Sequence, residues 1–215
     1  AFPVPILLAL VLHYTPILRL KTITQSITYA PHFISTVVLC GIITAFFSQS
    51  GIINQLGRIL FGAQAVDYMS YPRYWRSLFV GSGIWQNTGY NAIIYIAALA
   101  GVSNELHEAA IMDGANRVQR IWHIDIPSIM PTIIILLIMQ CGKVMNVGFQ
   151  KAYLLQNDLN TSVSEVISTY VYKMGLNKGQ YSLSTAVGLF NNVINFTLVI
   201  LVNKAANKLS GSGLW

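Results

Sequence analysis

Residues 108–127 read Glu-Ala-Ala-Ile-Met-Asp-Gly-Ala-Asn-Arg-Val-Gln-Arg-Ile-Trp-His-Ile-Asp-Ile-Pro and form a polar, basic interruption between two strongly apolar segments. One apolar segment ends near Gly101, and the next begins at Pro131. A polar connector has to emerge from whatever buries its apolar neighbours, so it can contact a soluble partner. We therefore expect this connector to be a coupling element in a membrane protein.

The composition favours a membrane protein. Hydrophobic residues make up 54% of the chain and charged residues 9%, against roughly 25% charged residues in ordinary soluble domains. A large soluble core is the alternative. Because a helix needs about 20 predominantly apolar residues to cross a bilayer, the candidate spans are residues 2–13, 33–53, 78–102, 129–149 and 183–202.

The expected fold class is therefore all-α, a polytopic transmembrane helical bundle with about five spans. The first window is too short to cross a membrane by itself, and the chain opens in mid-run without Met. We expect at least one N-terminal span to be missing. Residues 1–215 are then one incomplete transmembrane domain with a loop at 103–127 and a second connector at 150–182.

Charge and cysteine content exclude some other classes. The net charge is +6, but the 13 Lys and Arg residues are spread among connecting segments and form no dense cluster, so nucleic acid is not an expected partner. Cys40 and Cys141 lie within apolar runs, where a thiol usually acts as a small hydrophobic group. They indicate neither a disulfide nor a metal site.

The connector at residues 150–182 is expected to contain one amphipathic helix. Apolar residues recur in it at a spacing of three and four, at positions 163, 166, 167, 170, 171 and 174. Ser162 and Glu165 match a capping box, and Gly175 is placed to end the helix. This helix either lies on the bilayer surface or packs against the spans.

The loop at residues 108–127 is expected to be a docking helix. One helical stripe carries Ala115, Val118, Ile121 and Trp122, and another carries Asn116, Arg117, Arg120 and His123. Glu108 is expected near the start of a first helix, where it suits the helix dipole, and Gly114 permits a sharp change of direction. Pro127 is expected to break the helical run before the next span. A solvated loop of ordinary amphipathic character is the alternative.

The same loop matches a family motif with one conservative departure. It has Glu-Ala-Ala, then Gly, Ile and Pro at the motif spacing, at Glu108, Ala109, Ala110, Gly114, Ile124 and Pro127, with Ile126 where Leu is usual. The chain thereby resembles the permease subunits of binding-protein-dependent ABC importers. It looks most similar to the LplB-like permeases, which import oligosaccharides derived from complex polysaccharides. Further similar stretches are residues 29–35, 94–101, 146–149, 185–190 and 213–215.

The resemblance implies a multi-pass protein of the bacterial cytoplasmic membrane that is not itself an enzyme. It implies four kinds of partner: a second, homologous permease subunit, two ABC ATPase subunits that bind ATP and Mg, an extracytoplasmic sugar-binding lipoprotein, and membrane lipid. No cofactor is expected in this subunit. The loop at 103–127 is then cytoplasmic and the connector at 150–182 external. The implied ATPase-coupling residues are Glu108, Ala109, Ala110, Gly114, Arg117, Ile124 and Pro127.

Polar side chains within the spans are the best guide to a sugar path, because they are costly in lipid and usually face protein or water. Amides both donate and accept hydrogen bonds, which suits sugar hydroxyls. The candidates are Trp85, Asn87, Tyr90, Asn91, Gln140, Lys143, Asn191 and Asn195. Hydrogen bonding between helices is the alternative role. Lys143 near the path would favour acidic oligosaccharides, although snorkelling towards the surface is an alternative for it.

Other functional classes stay open on composition. A secondary transporter usually carries acidic residues within its spans, whereas all seven Asp and Glu residues, Asp125 included, are expected in connectors. A membrane enzyme needs grouped catalytic residues, but the four histidines lack acidic or cysteine companions at metal-ligand spacing. No catalytic or metal site is therefore expected. A structural membrane subunit without an ATPase partner is the remaining alternative.

Overall fold

The computed structural model describes residues 2–211 and residue 213, except for the side chains of Leu209 and Ser210. Leu214 and Trp215, which contribute to the resemblance above, lie outside the described residues. The described part of the chain consists of helices and their connections, with no strand. The predicted all-α fold class is thereby confirmed.

Twelve α-helices are described. In chain order they are α1 Pro3–His13, α2 Leu18–Tyr29, α3 Thr36–Phe47, α4 Ile52–Phe61, α5 Pro72–Ala100, α6 Asn104–Met112, α7 Arg117–Arg120, α8 Ile126–Cys141, α9 Phe149–Leu155, α10 Thr161–Ser164, α11 Ile167–Tyr172 and α12 Tyr181–Ser210. A 3₁₀ turn spans Ala30–Phe33, and π-helical turns span Ile121–Asp125 and Lys173–Asn177.

Three helical stretches in the described chain are both long and apolar enough to cross a membrane. They are Thr36–Phe61, Arg117–Cys141 and Tyr181–Lys208, with mean hydropathy of 1.8, 1.9 and 1.8. Each contains most of one predicted window. The window at residues 78–102 corresponds to α5, whose 29 residues extend about 40 Å at 1.5 Å per residue but include several amides. The first corresponds to α1, which is apolar but only 11 residues long.

The chain divides into two compact units. The first comprises Ala1–His32, Trp85–Gly142 and Phe196–Trp215. Its core consists of buried side chains from α1, α5 and α8: Ala9, Leu10, Ala92, Tyr95, Leu99 and Ile129. Ile121 and Ile126 are partly buried against this core. The π-helical turn and the start of α8 are therefore anchored to the unit by ordinary hydrophobic burial.

The second unit comprises Phe33–Ile84 and Lys143–Asn195. Its apolar core contains Leu39, Cys40, Ile43, Met69 and Leu155. A fully buried amide, Asn160, joins three segments of this unit: its Nδ2 donates to the carbonyls of Met69 and Leu155 at 3.0 and 3.1 Å. Its Oδ1 accepts from the backbone N–H of Asn157 and from the Ser164 hydroxyl. Buried polar atoms need such partners, so this amide fixes the connector after α9.

The prediction of one amphipathic helix in the connector at 150–182 is wrong. Where the single helix was predicted, over residues 162–175, the structure has two short helices, α10 and α11, separated by extended backbone at Glu165 and Val166. The Ser164 hydroxyl donates to Asn160, which holds α10 as a single turn, and Glu165 pairs with Lys173 at 3.0 Å instead of completing a capping box. Gly175 does not end the helix either, because it lies inside the second π-helical turn.

The predicted helix break at Pro127 is also wrong. Helical backbone continues from Arg117 to Cys141, with Pro127 in the first turn of α8. Proline lacks an N–H, and its ring clashes with the carbonyl four residues earlier in a regular α-helix. Here the preceding turn is π-helical, with the Ile126 N–H donating to the carbonyl of Ile121. A π-bulge shifts the hydrogen-bonding pattern by one residue, so the proline is accommodated without a break.

Gly89 allows a close approach between α5 and α2 in the first unit. A Cβ atom built on Gly89 would overlap the backbone carbonyl of Thr28. Gly81, two turns earlier in the same helix, has open space around its Cβ position. Both glycines lie in the same helix, but only Gly89 is packed against another segment of backbone.

We expect Gly89→Ala to lower the stability of the subunit by about 1–3 kcal/mol, because the methyl group would displace backbone. Gly81→Ala is the matched control and should be neutral or stabilising by up to about 1 kcal/mol, as alanine favours helix. The measurement is the temperature at which half of the detergent-solubilised protein leaves the monodisperse state. Equal temperatures for the two variants would contradict the packing described here.

Candidate functional site

Residues 103–127, termed the elbow, form two helices joined by a tight turn. The Ser103 hydroxyl accepts a hydrogen bond from the N–H of Glu105 and begins α6. Gly114 forms the turn with φ of +80°, a conformation that glycine adopts without strain. Asn116 and Gln119 then form a reciprocal capping box, with distances of 2.8 and 2.9 Å, that begins α7. The predicted change of direction at Gly114 is therefore present.

Glu108 does not lie in the first turn of its helix as predicted. Because α6 begins at Asn104, the acidic residue of the first turn is Glu105, and the dipole effect fades beyond that turn. The side chain of Glu108 is exposed on the middle of α6. Among the other predicted coupling residues, Ala109, Gly114, Arg117 and Pro127 are exposed, and Ala110 and Ile124 are half-buried.

The outer face of the elbow carries large exposed apolar side chains. Met112 is 88% exposed, and four others are more than half exposed: Leu106, Ile111, Val118 and Trp122. Contiguous exposed apolar surface on a protein usually marks an interaction site. The predicted apolar stripe is divided, because Val118 and Trp122 face outward whereas Ala115 and Ile121 are half-buried.

The inner face of the elbow centres on Asp125, whose side chain is fully buried. The hydroxyl of Tyr14, directly after α1, donates to Asp125 Oδ2 at 2.6 Å. Nε2 of His107, on α6, lies 3.2 Å from Asp125 Oδ1. The guanidinium of Arg120 stands 5.5 Å from the centre of the Tyr14 ring, a cation–π distance. Four side chains thus join the end of α1 to both arms of the elbow.

Burial, together with the hydrogen bond to Asp125, raises the pKa of Tyr14 to about 12. The phenol therefore stays protonated and remains a hydrogen-bond donor over the physiological pH range. A phenol that donates to a carboxylate stabilises the buried negative charge. The contact therefore joins the elbow to the end of α1.

The expectation that every acidic residue lies in a connector is wrong for Asp125. This residue lies inside the apolar helical stretch Arg117–Cys141 and is buried. The expectation that histidines lack acidic companions also fails, since His13, His107 and Asp125 place one potential ligand atom each within 4.8 Å of one another. Sequence spacing cannot show this group, because Tyr14 and Asp125 are 111 positions apart. The one available signal is an acidic residue just before an apolar helix.

The first unit contains five of the predicted sugar-path residues. Asn87 Oδ1 lies 3.2 Å from His32 Nδ1, and the Tyr90 ring stacks on the His32 ring with centres 3.8 Å apart and planes 4° from parallel. Trp85 and Tyr90 are each about half exposed, and Asn91 and Gln140 are exposed. His32, which the path prediction omitted, is thus part of a small aromatic and amide platform.

The second unit contains the other three. Asn195 is buried and its Oδ1 accepts from the backbone N–H of Met145 at 3.3 Å. Asn191 Nδ2 donates to Asn146 Oδ1 at 3.0 Å. These two amides position the segment between α8 and α9, which also carries the exposed Lys143. The proposed roles of all eight residues in a sugar path stay predictions.

Comparison with known proteins gives consistent results. A family model described as a binding-protein-dependent transport system inner membrane component matches residues 1–210. The chain is 44% identical to Protein LplB of Bacillus subtilis in an alignment of 216 positions that covers 100% of this chain and 68% of that protein. It is 40% identical to the polygalacturonan/rhamnogalacturonan transport system permease protein YteP of Bacillus subtilis, covering 100% of this chain and 67% of YteP.

A solved structure is also similar. A chain in the crystal structure of a bacterial alginate ABC transporter, in complex with an alginate pentasaccharide-bound periplasmic protein, superposes with a TM-score of 0.95. The two chains are 36% identical, and the match covers 99% of this chain and 74% of the other. At this level of identity the likeness extends beyond the fold.

Proposed function

Because the chain belongs to the family of inner membrane components of binding-protein-dependent transport systems, we propose that it forms half of the translocation path of an ATP-driven importer for acidic oligosaccharides. It is a multi-pass permease subunit of a carbohydrate ABC transporter. We propose that its partners are a second permease subunit, two ATPase subunits that bind ATP and Mg²⁺, and an extracytoplasmic sugar-binding lipoprotein. The complex would assemble at a bacterial inner membrane.

The elbow is the observation that carries this proposal. Its motif residues lie on α6, at Gly114, in the π-helical turn and in the first turn of α8. Its outer face exposes apolar side chains such as Met112 and Trp122, and its inner face is held by Asp125. A surface that is apolar outside and anchored inside suits docking into a groove on a partner protein. We propose that this partner is the ATPase, with Glu108 and Arg117 contributing charge at the rim of the contact.

The mechanism follows from the continuity of the helix after the elbow. Closure of the ATPase dimer on ATP would displace the docked elbow. Since Arg117–Cys141 is one helical stretch, the displacement would pass directly into α8 and change the packing of the spans between inward-facing and outward-facing states. Coupling needs a rigid element whose position depends both on the ATPase contact and on the substrate path. We propose that α8, together with the π-helical turn before it, is that element.

An acidic oligosaccharide is the proposed cargo for two reasons. Two similar proteins are described by uronate-containing polysaccharides, polygalacturonan for one and alginate for the other. Lys143 is exposed in the segment after α8, and a single ammonium group there would attract carboxylates. Trp85 and Tyr90 offer aromatic faces, and Asn87, Asn91 and Gln140 offer amides, for the rings and hydroxyls of a sugar.

Two alternative functions can be separated from an importer permease by experiment. A secondary transporter would use an intramembrane acid for ion coupling, and Asp125 is such an acid by position, but its contacts are with Tyr14 and His107 at the elbow. A structural subunit would need no ATPase. Co-purification separates both from the proposal, since an importer permease brings a sister permease and an ATPase.

Gly114→Val should abolish uptake while leaving the subunit in the membrane. The reason is backbone strain and not crowding, because a Cβ at this position meets open space but φ is +80°, and a left-handed conformation costs an L-residue about 1–2 kcal/mol. Gly114→Asn is the matched control, since asparagine tolerates this conformation and should retain most of the uptake. The measurement is uptake of labelled oligosaccharide, with immunoblotting for subunit level. Uptake by the Val variant equal to wild type would count against the elbow's role.

Lys143→Gln should lower uptake of a uronate oligosaccharide by about fivefold and leave a neutral oligosaccharide unchanged. A factor of this size corresponds to the loss of about 1 kcal/mol from one ion pair in a wet environment. Lys178→Gln removes the same charge from another exposed position of the second unit and serves as the control. Initial uptake rates of both sugars provide the measurement, and an equal loss for both sugars would refute the acidic cargo.

A further inference from the structure

The geometry points to a binding site for a divalent transition-metal ion, of the class of Zn²⁺, formed by His13, His107 and Asp125 on the inner face of the elbow. One potential ligand atom from each residue lies within 4.8 Å of the others. The site is separate from the residues proposed for sugar transport and does not depend on the identity of the cargo. His13 ends α1, His107 lies on α6, and Asp125 ends the π-helical turn.

The contact between His107 and Asp125 has the spacing of two metal ligands without the alignment of a hydrogen bond. Nε2 and Oδ1 are 3.2 Å apart. Within the described residues, however, neither of these buried atoms has a hydrogen-bond partner of acceptable geometry. Two ligands of a tetrahedral ion, each about 2.0–2.1 Å from it, lie roughly 3.3 Å from each other. This pair therefore needs little rearrangement to share an ion.

The environment of Asp125 favours a cation. Its side chain is fully buried, and a buried carboxylate requires compensation by a charge or by hydrogen bonds. Tyr14 satisfies Oδ2, which leaves Oδ1 directed to the space shared with the two imidazoles. A hydrogen bond to the second oxygen of a ligating carboxylate fixes its orientation and is typical around bound metals.

The types of ligand define the class of ion. Two imidazole nitrogens and one carboxylate oxygen suit Zn²⁺ and neighbouring transition metals, whereas Mg²⁺ and Ca²⁺ prefer oxygen ligands throughout. The His13 and His107 rings lie with their centres 6.1 Å apart and tilted by 39°, so the two imidazoles are close enough to contribute to one site. These three side chains supply three ligands, and a water molecule would take the fourth position of a tetrahedral ion.

A metal ion at this position would connect α1 to both arms of the elbow. Without an ion the inner face is held by Tyr14 and by the imperfect contact between His107 and Asp125. With one, three side chains from three separate elements would share strong directional bonds. Metal binding would therefore stiffen the elbow and raise the stability of the folded subunit, because an ion that binds the native state stabilises it by mass action.

The test uses the full-length subunit purified in detergent with the subunits that accompany it, stripped by a chelator and then titrated with ZnCl₂ and, separately, CoCl₂. The readouts are metal bound per complex by mass spectrometry, the visible absorption of bound cobalt, and the unfolding temperature. His107→Gln and His13→Gln are compared with His123→Gln, which removes an exposed histidine of the same elbow. Only variants that elute as monodisperse complexes are scored.

We expect wild type and His123→Gln to bind one more equivalent of zinc than the His107 and His13 variants. They should also show the intense absorption of tetrahedral cobalt and unfold at a higher temperature with zinc than without. If His107→Gln does not assemble, His13→Gln provides the comparison, with at least a tenfold weaker zinc affinity. Equal zinc binding by wild type and these variants, or none in wild type, would overturn the proposal and leave a purely hydrogen-bonded cluster.

Discussion

The elbow keeps its shape because the buried carboxylate of Asp125 is contacted from two other elements. Tyr14, at the end of α1, donates to one oxygen at 2.6 Å, and His107, on α6, lies 3.2 Å from the other. Removing the phenol would leave Oδ2 of this buried side chain without its hydrogen bond, which is costly in a protein interior. Both helices of the elbow are thereby tied to α1 through one side chain.

The contacts of Asp125 explain why the two faces of the elbow have different roles. The inner face is committed to Asp125 and to the apolar core around Leu99 and Ile129, so the outer face is available to a partner. The π-helical turn that ends at Asp125 leads without interruption into α8. No break in the helix separates the elbow from α8, so we expect a displacement of the elbow to move α8 as well. A permease that takes up force from an ATPase needs both properties.

The sequence predicted the features that depend on composition and local spacing. Hydropathy located the long apolar helices and α1, and the family motif located the elbow with its turn at Gly114. The contact of Tyr14 with Asp125 could not be predicted, because it joins distant positions through tertiary packing. Continuity through Pro127 depends on a shift of one hydrogen bond, which residue types do not reveal. The connector after α9 divides into short helices because buried Asn160 binds Met69, Leu155 and Ser164, and helical periodicity carries no information on such partners.

We expect the outer face of the elbow to contact a cytoplasmic ATPase. Single-cysteine labelling at Met112→Cys examines this contact, with Cys40 and Cys141 replaced by alanine and with Leu159→Cys, exposed in the connector at 150–182, as the comparison. A membrane-impermeant maleimide should label Met112→Cys from the cytoplasmic side, and co-assembled ATPase subunits should suppress this labelling. Leu159→Cys should react from the opposite side. Labelling of Met112→Cys from outside, or labelling that the ATPase subunits do not change, would rule out a contact between the outer face of the elbow and the ATPase.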